Sequence, residues 1–559
     1  MENDIEIREE KAHFSLDREK LRKISAIVFP LLLIFLSFAL VIYYILGPAE
    51  GYFHSDCTDT ILWAQATYDS GKLISDNFHY AALLPFGGNL LMLPFIPIFG
   101  VSMTTHNIAM VLFALLFFLS LYALARSLGY DLAKTSVLIF TVTLVLSGSD
   151  KLREIMWGHI IYYSLGLLFL AFGLSLVNKI PQDSGLFSEK SRRAKDIILI
   201  AGLFVFSAAT ATNGMQSIVT YILPVVGALI LERIFATAEE KSLMQIRLTN
   251  SFILIAVFLS STIVGLLILK LISGGVEAGY ANAYSGYSAM SSWKDNLLKF
   301  GGDWLSLIGV KVADGDTLMS ISSIGNLIRI FTGLFILVFP VIGACLYKKL
   351  ESRGARLVLL AHFVQSALIL FAYICGRLNS ANWRLTPMLG SAVIASVVCA
   401  CELIKPQGFS LVSKRFAALS LCLLCLAPTV SALQIAKMPA NYGRDNDLHR
   451  IADELEKRGL TYGYADFWKA QAVTVLSDSK VKVRNIRISD GKISKYTYQS
   501  EYTWFDDQPD TEKYFILLSD YEYSLLQFNL ILEHPTATTQ TIDGYKILIL
   551  PYNPFTKGE

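Results

Sequence analysis

Residues 54–73 read HSDCTDTILWAQATYDSGKL. The stretch follows the first long apolar run at a short remove, and its reading decides the rest. Two carboxylates, Asp56 and Asp59, stand just before a renewed apolar pattern. Acids at the edge of a membrane lose hydration and usually have a task. Two readings of the pair stand at this point. One is a solvated turn in which Asp56 or Thr58 caps a helix by accepting a backbone N–H. The other is a reactive pair, because residues three apart align on one helical turn.

Working outward, the chain of 559 residues is 53% hydrophobic and only 17% charged. Soluble domains carry about 25% charged residues, so the deficit points to a polytopic α-helical membrane protein. A formal net charge of +2 implies no nucleic-acid partner. A spanning helix needs about 20 mostly apolar residues. Eleven such runs lie near 25–47, 105–126, 133–148, 159–178, 196–212, 217–235, 250–272, 326–347, 357–375, 385–404 and 416–436. Segment 83–100 is apolar but holds Pro85, Pro94 and Pro97. Proline removes backbone donors, so a re-entrant or interfacial piece is expected there. The first run follows a polar tail, 1–24, and has no small-residue cleavage site, so no cleavable signal peptide is expected.

Basic residues set the direction. Arg8, Lys11, Arg18, Lys20, Arg22 and Lys23 precede the first run, and Lys179, Lys190, Arg192, Arg193 and Lys195 follow the fourth. With eleven spans these clusters share one side, the cytoplasm. Loops 48–104, 149–158, 273–325 and 376–384 then face outward, as does everything after 436. The expected division is a cytoplasmic tail 1–24, a transmembrane domain 25–436 and a soluble extracytoplasmic domain 437–559. The last resembles a small α/β unit. DNDLHRIADELEKRG has helical spacing, and TYGYAD, VKVRNIRIS, YFILLSD and YKILILPYN read as strands, with helical stretches near 467–477 and 521–533. Its many aromatics, such as Tyr464, Trp468 and Tyr502, suit either core packing or stacking on sugar faces. The Gly/Ser-rich start of loop 273–325 reads as a connector or as a lid over a site.

The outer loops gather a limited set of chemistry-bearing residues. Asp56 and Asp59 come from the first, Asp150, Lys151, Arg153, Glu154 and His159 from the second, and Arg377 and Arg384 from GRLNSANWRLTP. A carboxylate near an apolar boundary becomes more basic, which suits a general base. Arginine presents a planar fork to phosphate. The alternatives are snorkelling for Arg377 and Arg384, and internal ion pairs for Asp150 and Glu154. His79 and His159 each read as lone structural histidines. Cys57 and the other six cysteines show neither a disulfide framework nor a zinc spacing, so no metal ligands are assigned.

Taken in order, these features resemble the GT-C superfamily of polyprenyl-phosphate-sugar-dependent glycosyltransferases, the relatives of protein O-mannosyltransferases and of the lipid A aminoarabinose transferase. The resemblance rests on one N-terminal span leading to a long outer loop with an early acid (SDCTD), then LWAQATYDSGKL and a proline-containing segment ending in Phe-Gly (LPFGGNLLMLPFIPIFG). LYALARSLGY, an acid in the second outer loop, and Arg384 to Pro387 opening a late span complete it. Two departures stand out. Asp56-Cys57 replaces the usual Asp-Glu pair, and the first-loop helix lacks the aromatic often found soon after the acid. The resemblance implies an inverting sugar transfer from a polyprenyl-phosphate donor to a glycan, lipid or protein hydroxyl at the outer face of the plasma membrane. Asp56 would be the general base, with Asp59 and Glu154 as further catalytic candidates. Arg384, Arg377 and Arg153 would bind the donor phosphate. No nucleotide is implied, and among cofactors only a divalent cation is admitted. Competing readings are a lipid-linked glycan flippase, a polysaccharide polymerase and a non-catalytic scaffold of the same fold. A charge-coupled transporter would carry ionisable residues inside its spans, and those are almost absent here.

Overall fold

The computed structural model describes residues 2–180, 190–240, 250–276, 278–279, 286–404, 410–509, 511–526 and 536–556. Ten described helices are long and apolar enough to cross a membrane, from Arg22–Leu46 to Leu411–Lys437. The chain is a multi-pass membrane protein. Within such segments every backbone group must be satisfied internally, which the helix does. Neighbours pack in pairs: Met103–Ser127 on Tyr162–Lys179, Leu223–Glu240 on Arg353–Ile374, and Asn250–Ser273 on Lys190–Ala211. The span Asn382–Leu403 has its whole apolar window buried, whereas that of Arg22–Leu46 is 17% buried. The former is therefore the axis of the bundle and the latter its edge. Close approach at the axis needs glycine. A Cβ on Gly390 would lie 2.4 Å from Leu167 Cδ1.

The run expected at 133–148 forms a shorter helix, Leu132–Val145, and the chain then turns by 113° into the helix Asp150–Trp157. Residues Ser147, Gly148 and Ser149 make the turn. A Cβ on Gly148 would sit 2.9 Å from the Ile308 carbonyl, so a side chain is excluded there. Ser149 Oγ accepts the Leu152 N–H at 3.1 Å as an N-cap and donates to the Leu307 carbonyl at 2.6 Å. Trp157 Nε1 donates to Ser147 Oγ at 2.8 Å, and Arg153 Nη1 to the Ser147 carbonyl at 2.9 Å. Loop 149–158 is thus a helix turned sharply from the one before it. Segment 83–100, expected to be interfacial, folds as short helical pieces over Asn89–Phe99.

After residue 436 a six-stranded sheet forms from β1 (Tyr462–Asp466), β2 (Lys482–Ser489), β3 (Lys492–Lys495), β4 (Tyr514–Ser519), β5 (Thr538–Ile542) and β6 (Tyr545–Leu550). Its order is β3-β2-β1-β4-β6-β5, with β1 parallel to both β2 and β4. The four expected strands are present. β3 and β5 were missed because their polar residues hide the alternation, and each is held by a hairpin partner. The expected helix near 467–477 is Phe467–Leu476, the crossover from β1 to β2. Of the stretch near 521–533, Asp520–Leu525 is helical and residues 527–533 lie outside the described residues. Tyr464 and Phe505 are core, while Trp468 and Tyr502 are exposed.

The sheet unit is laced to the first loop. Phe78–His79 pairs with Ser500–Glu501, Trp63 Nε1 donates to Gln499 Oε1 at 2.8 Å, and Ser479 Oγ donates to the Val101 carbonyl at 2.6 Å. The lid reading of loop 273–325 falls partly on residues 277 and 280–285, outside the described residues. The rest is docked. Helix Trp293–Leu307 holds the 376–384 loop through Lys299 Nζ to the Asn379 carbonyl, 2.8 Å, and Asn382 Nδ2 to Ser306 Oγ, 2.9 Å.

Candidate active site at the outer loops

Residues 55–58 form a single 3₁₀ turn that leads into the helix Asp59–Ser70. The turn is capped by His54, whose Nδ1 accepts the Asp56 N–H at 3.3 Å. Neither candidate cap does this work. Thr58 makes no cap bond and donates instead to the Ser55 carbonyl at 2.7 Å. The Asp56 carboxylate makes no hydrogen bond or ion pair among the described residues, and it is half-buried.

Asp59 differs. Its Oδ1 is buried with no hydrogen-bond partner among the described residues. Burial pushes its carboxyl well above the usual range; the Asp56 charge adds to this and the Gln499 side chain opposes it. The first loop therefore offers one open carboxylate and, one helical turn on, one that favours its proton.

Opposite them, Tyr162 and Tyr163 open a span. The charges of Arg384, Asp59 and Asp56 all reach the Tyr162 hydroxyl. The Arg384 charge also reaches Tyr163, and Tyr162 donates to Tyr163 at 3.4 Å. Arg384 Nη1 also donates to Ser380 Oγ at 2.6 Å and to the Arg377 carbonyl at 3.2 Å. Three loops far apart in sequence thus contribute Asp56, Asp59, Arg384 and a tyrosine pair to one neighbourhood. Arg377 lies on its exposed rim. The tyrosines were missed from sequence because aromatics at a span end ordinarily read as interface anchors.

The second outer loop is spent differently. Asp150 pairs with Arg153 and Lys311. Its carboxyl is held below the usual range, since those cations outweigh burial. Arg153 is 3% exposed and faces the Tyr44 ring at 5.6 Å. Glu154 accepts from Lys151 at 2.6 Å, and its Oε1 lies 3.3 Å from Nε2 of both His54 and His159. Burial would raise its pKa, yet the two histidines carry it far below the ordinary value. Lys151 in turn sits 4.5 Å over the Trp383 ring, beside Arg384. The ion-pair alternative is realised for both acids.

His159 is not the lone residue expected. Its Nε2 also lies 3.6 Å from Cys57 Sγ, and ligand atoms of His54, Cys57 and His159 fall within 4.8 Å of one another. These three could hold a metal ion. Their signal in sequence was weak, because Cys57 and His159 are 102 residues apart. His79 has a buried Nε2 with no partner among the described residues and packs on Tyr502.

No protein-family model matches the chain, and no curated protein matches it by sequence. Solved structures do match. ArnT from Cupriavidus metallidurans bound to undecaprenyl phosphate superposes with a TM-score of 0.52 at 10% identity, over 96% of this chain and 99% of that one. The same protein in the apo state gives 0.53 at 11% identity, over 95% and 100%. At such identity the likeness is one of fold, and it extends from the first span through the terminal sheet.

Proposed function

We propose that this chain of GT-C fold is a membrane glycosyltransferase that moves a sugar from a polyprenyl-phosphate donor to an acceptor hydroxyl of a glycan, lipid or protein. The observation that carries the reading is the convergence of an unpaired carboxylate, Asp56, with Arg384 and the Tyr162–Tyr163 pair at the end of the bundle. The undecaprenyl phosphate bound to the ArnT neighbour supports the choice of lipid class. Asp56 takes the proton of the acceptor hydroxyl. The acceptor oxygen forms its bond to the anomeric carbon from the face opposite the leaving group. The bond from that carbon to the phosphate oxygen breaks, with inversion. Arg384 receives the charge that grows on the lipid phosphate, aided by Arg377 at the rim. Asp59, favouring its protonated form, stands one turn on as the second catalytic candidate. Glu154 and Arg153 are proposed as positioning residues, because both are committed to partners in the second loop. No step is routed through a metal ion.

The proposed organisation is a cytoplasmic tail 1–24, a transmembrane domain 25–436 and an extracytoplasmic domain 437–559 that seats the acceptor. The lacing of the sheet unit to the first loop supports that seat. The test is Asp56→Asn in membranes supplied with polyprenyl-phosphate sugars, reading release of polyprenyl phosphate. Because the carboxylate makes no bond, the change is expected to leave the melt within about 0.5 kcal/mol while slowing transfer by about 10²–10⁴-fold. Undiminished turnover would remove Asp56 as the base. Undiminished turnover in Asp59→Asn as well would remove both first-loop carboxylates from the reaction.

A further inference from the structure

We infer that His54, Cys57, His159 and Glu154 form a tetrahedral site for a zinc-class cation, which clamps the first outer loop to the helix Asp150–Trp157. Zinc takes nitrogen and oxygen ligands at about 2.0–2.2 Å and thiolate at about 2.3 Å. At the tetrahedral angle those bonds place nitrogen and oxygen ligands about 3.4 Å apart, and nitrogen and sulfur about 3.6 Å apart. The observed edges are His54 Nε2 to Glu154 Oε1, 3.3 Å; His159 Nε2 to Glu154 Oε1, 3.3 Å; and His159 Nε2 to Cys57 Sγ, 3.6 Å. The His54 ligand atom closes the group within 4.8 Å of the other two. Three of the six ligand-to-ligand edges therefore already have the spacing of a bound ion.

Chemistry narrows the ion. Two imidazoles, a thiolate and a carboxylate favour zinc and its softer neighbours over magnesium, calcium or manganese. Cys57 and His159 are each 4% exposed, and four protein ligands leave no open position. A closed site of this kind is structural rather than catalytic. The surroundings provide the next layer of support. Glu154 Oε2 is held by Lys151, and Lys151 by the Trp383 ring. On binding, the Cys57 thiol gives its proton to solvent. The His54 proton passes from Nε2 to Nδ1, which releases the Asp56 N–H now bonded there. The His159 proton likewise passes from Nε2, where it faces Glu154, to Nδ1, which is buried without a partner among the described residues. Occupancy is therefore linked to the seat of Asp56. The inference is independent of the transfer reaction, since its readout is metal binding.

The test uses the full-length protein in detergent, stripped with a chelator and titrated with Co²⁺. The expected result is one equivalent bound, with a tetrahedral ligand-field spectrum and a thiolate-to-cobalt charge-transfer band, both displaced by Zn²⁺. Cys57→Ser is expected to lose the charge-transfer band, and His159→Gln to weaken binding at least about tenfold. In the unsubstituted protein, Zn²⁺ is expected to protect Cys57 from alkylation, read by peptide mass. Weak octahedral binding, a band that survives Cys57→Ser, or alkylation of Cys57 at the same rate with and without Zn²⁺ would each overturn the site.

Discussion

Replacing Ser149 by alanine tests the bend on which the outer face is built. Its hydroxyl does two things. It accepts the Leu152 N–H as an N-cap, and it donates to the Leu307 carbonyl. Loss of a serine cap costs about 1 kcal/mol. Leaving a buried carbonyl without its donor costs about 1–3 kcal/mol more. Ser149 is 6% exposed, so water does not readily replace the hydroxyl. The expected loss is therefore about 2–4 kcal/mol. Reversible unfolding in mixed detergent and SDS micelles measures it. Ser260→Ala is the control. That hydroxyl is exposed and bonds only within its own helix, to the Ala256 and Val257 carbonyls, so its loss is expected to stay within about 0.5 kcal/mol. If Ser149→Ala is as mild as Ser260→Ala, the bend is not held by this residue and the account of the second loop is wrong.

Asp59→Asn tests the buried acid. The folded state raises this pKa, so it binds the proton more tightly than the unfolded chain, and stability falls as pH rises through the window above about 4. Asparagine cannot ionise, so the variant should gain on the parent in melting temperature as pH increases; a difference that is flat with pH refutes the assignment. Arg384→Lys keeps the charge but loses Nη1, which joins Ser380 and the Arg377 carbonyl, and the planar fork offered to phosphate, and donor turnover should drop about tenfold or more. Turnover equal to the parent's would remove Arg384 from the phosphate site. Arg353 Nε donates to both Glu232 oxygens, at 3.1 and 3.2 Å. Arg353→Met should cost about 1.5–3 kcal/mol by removing the donor that meets both oxygens of that carboxylate, and adding Glu232→Gln should recover part of it; an equally unstable double variant would show that the pair is not the cause.

The legible part of this chain was whatever a local window contains. Ten of the eleven apolar runs are single helices long and apolar enough to cross a membrane, because hydropathy acts residue by residue and the helix satisfies its own backbone. Four strands of the terminal sheet were readable from their apolar residues, whereas Lys492–Lys495 was not, since it depends on pairing with Ile486–Ser489. The eleventh run shows the limit. Its composition is that of a span, yet Gly148 meets the Ile308 carbonyl, and the run completes a span only as a pair of helices bent by 113° with Asp150–Trp157. Nothing within twenty residues announces that contact.

The candidate site divides in the same way. Asp56 and Arg384 were chosen from residue type and loop position, and both lie where charges meet at Tyr162. Arg153 and Glu154 were chosen on equal grounds, but the structure commits one to Asp150 and the other to Lys151 and two histidines. His159, singled out as solitary, is the centre of a four-residue group. Sequence alone determined the membrane class and the order of the apolar runs, because these follow from transfer free energies summed over neighbours. Only the tertiary structure decided which of the charged residues face one another. Partners 102 residues apart, such as Cys57 and His159, meet through the packing of intervening helices, and their pairing energy has no trace in either local window.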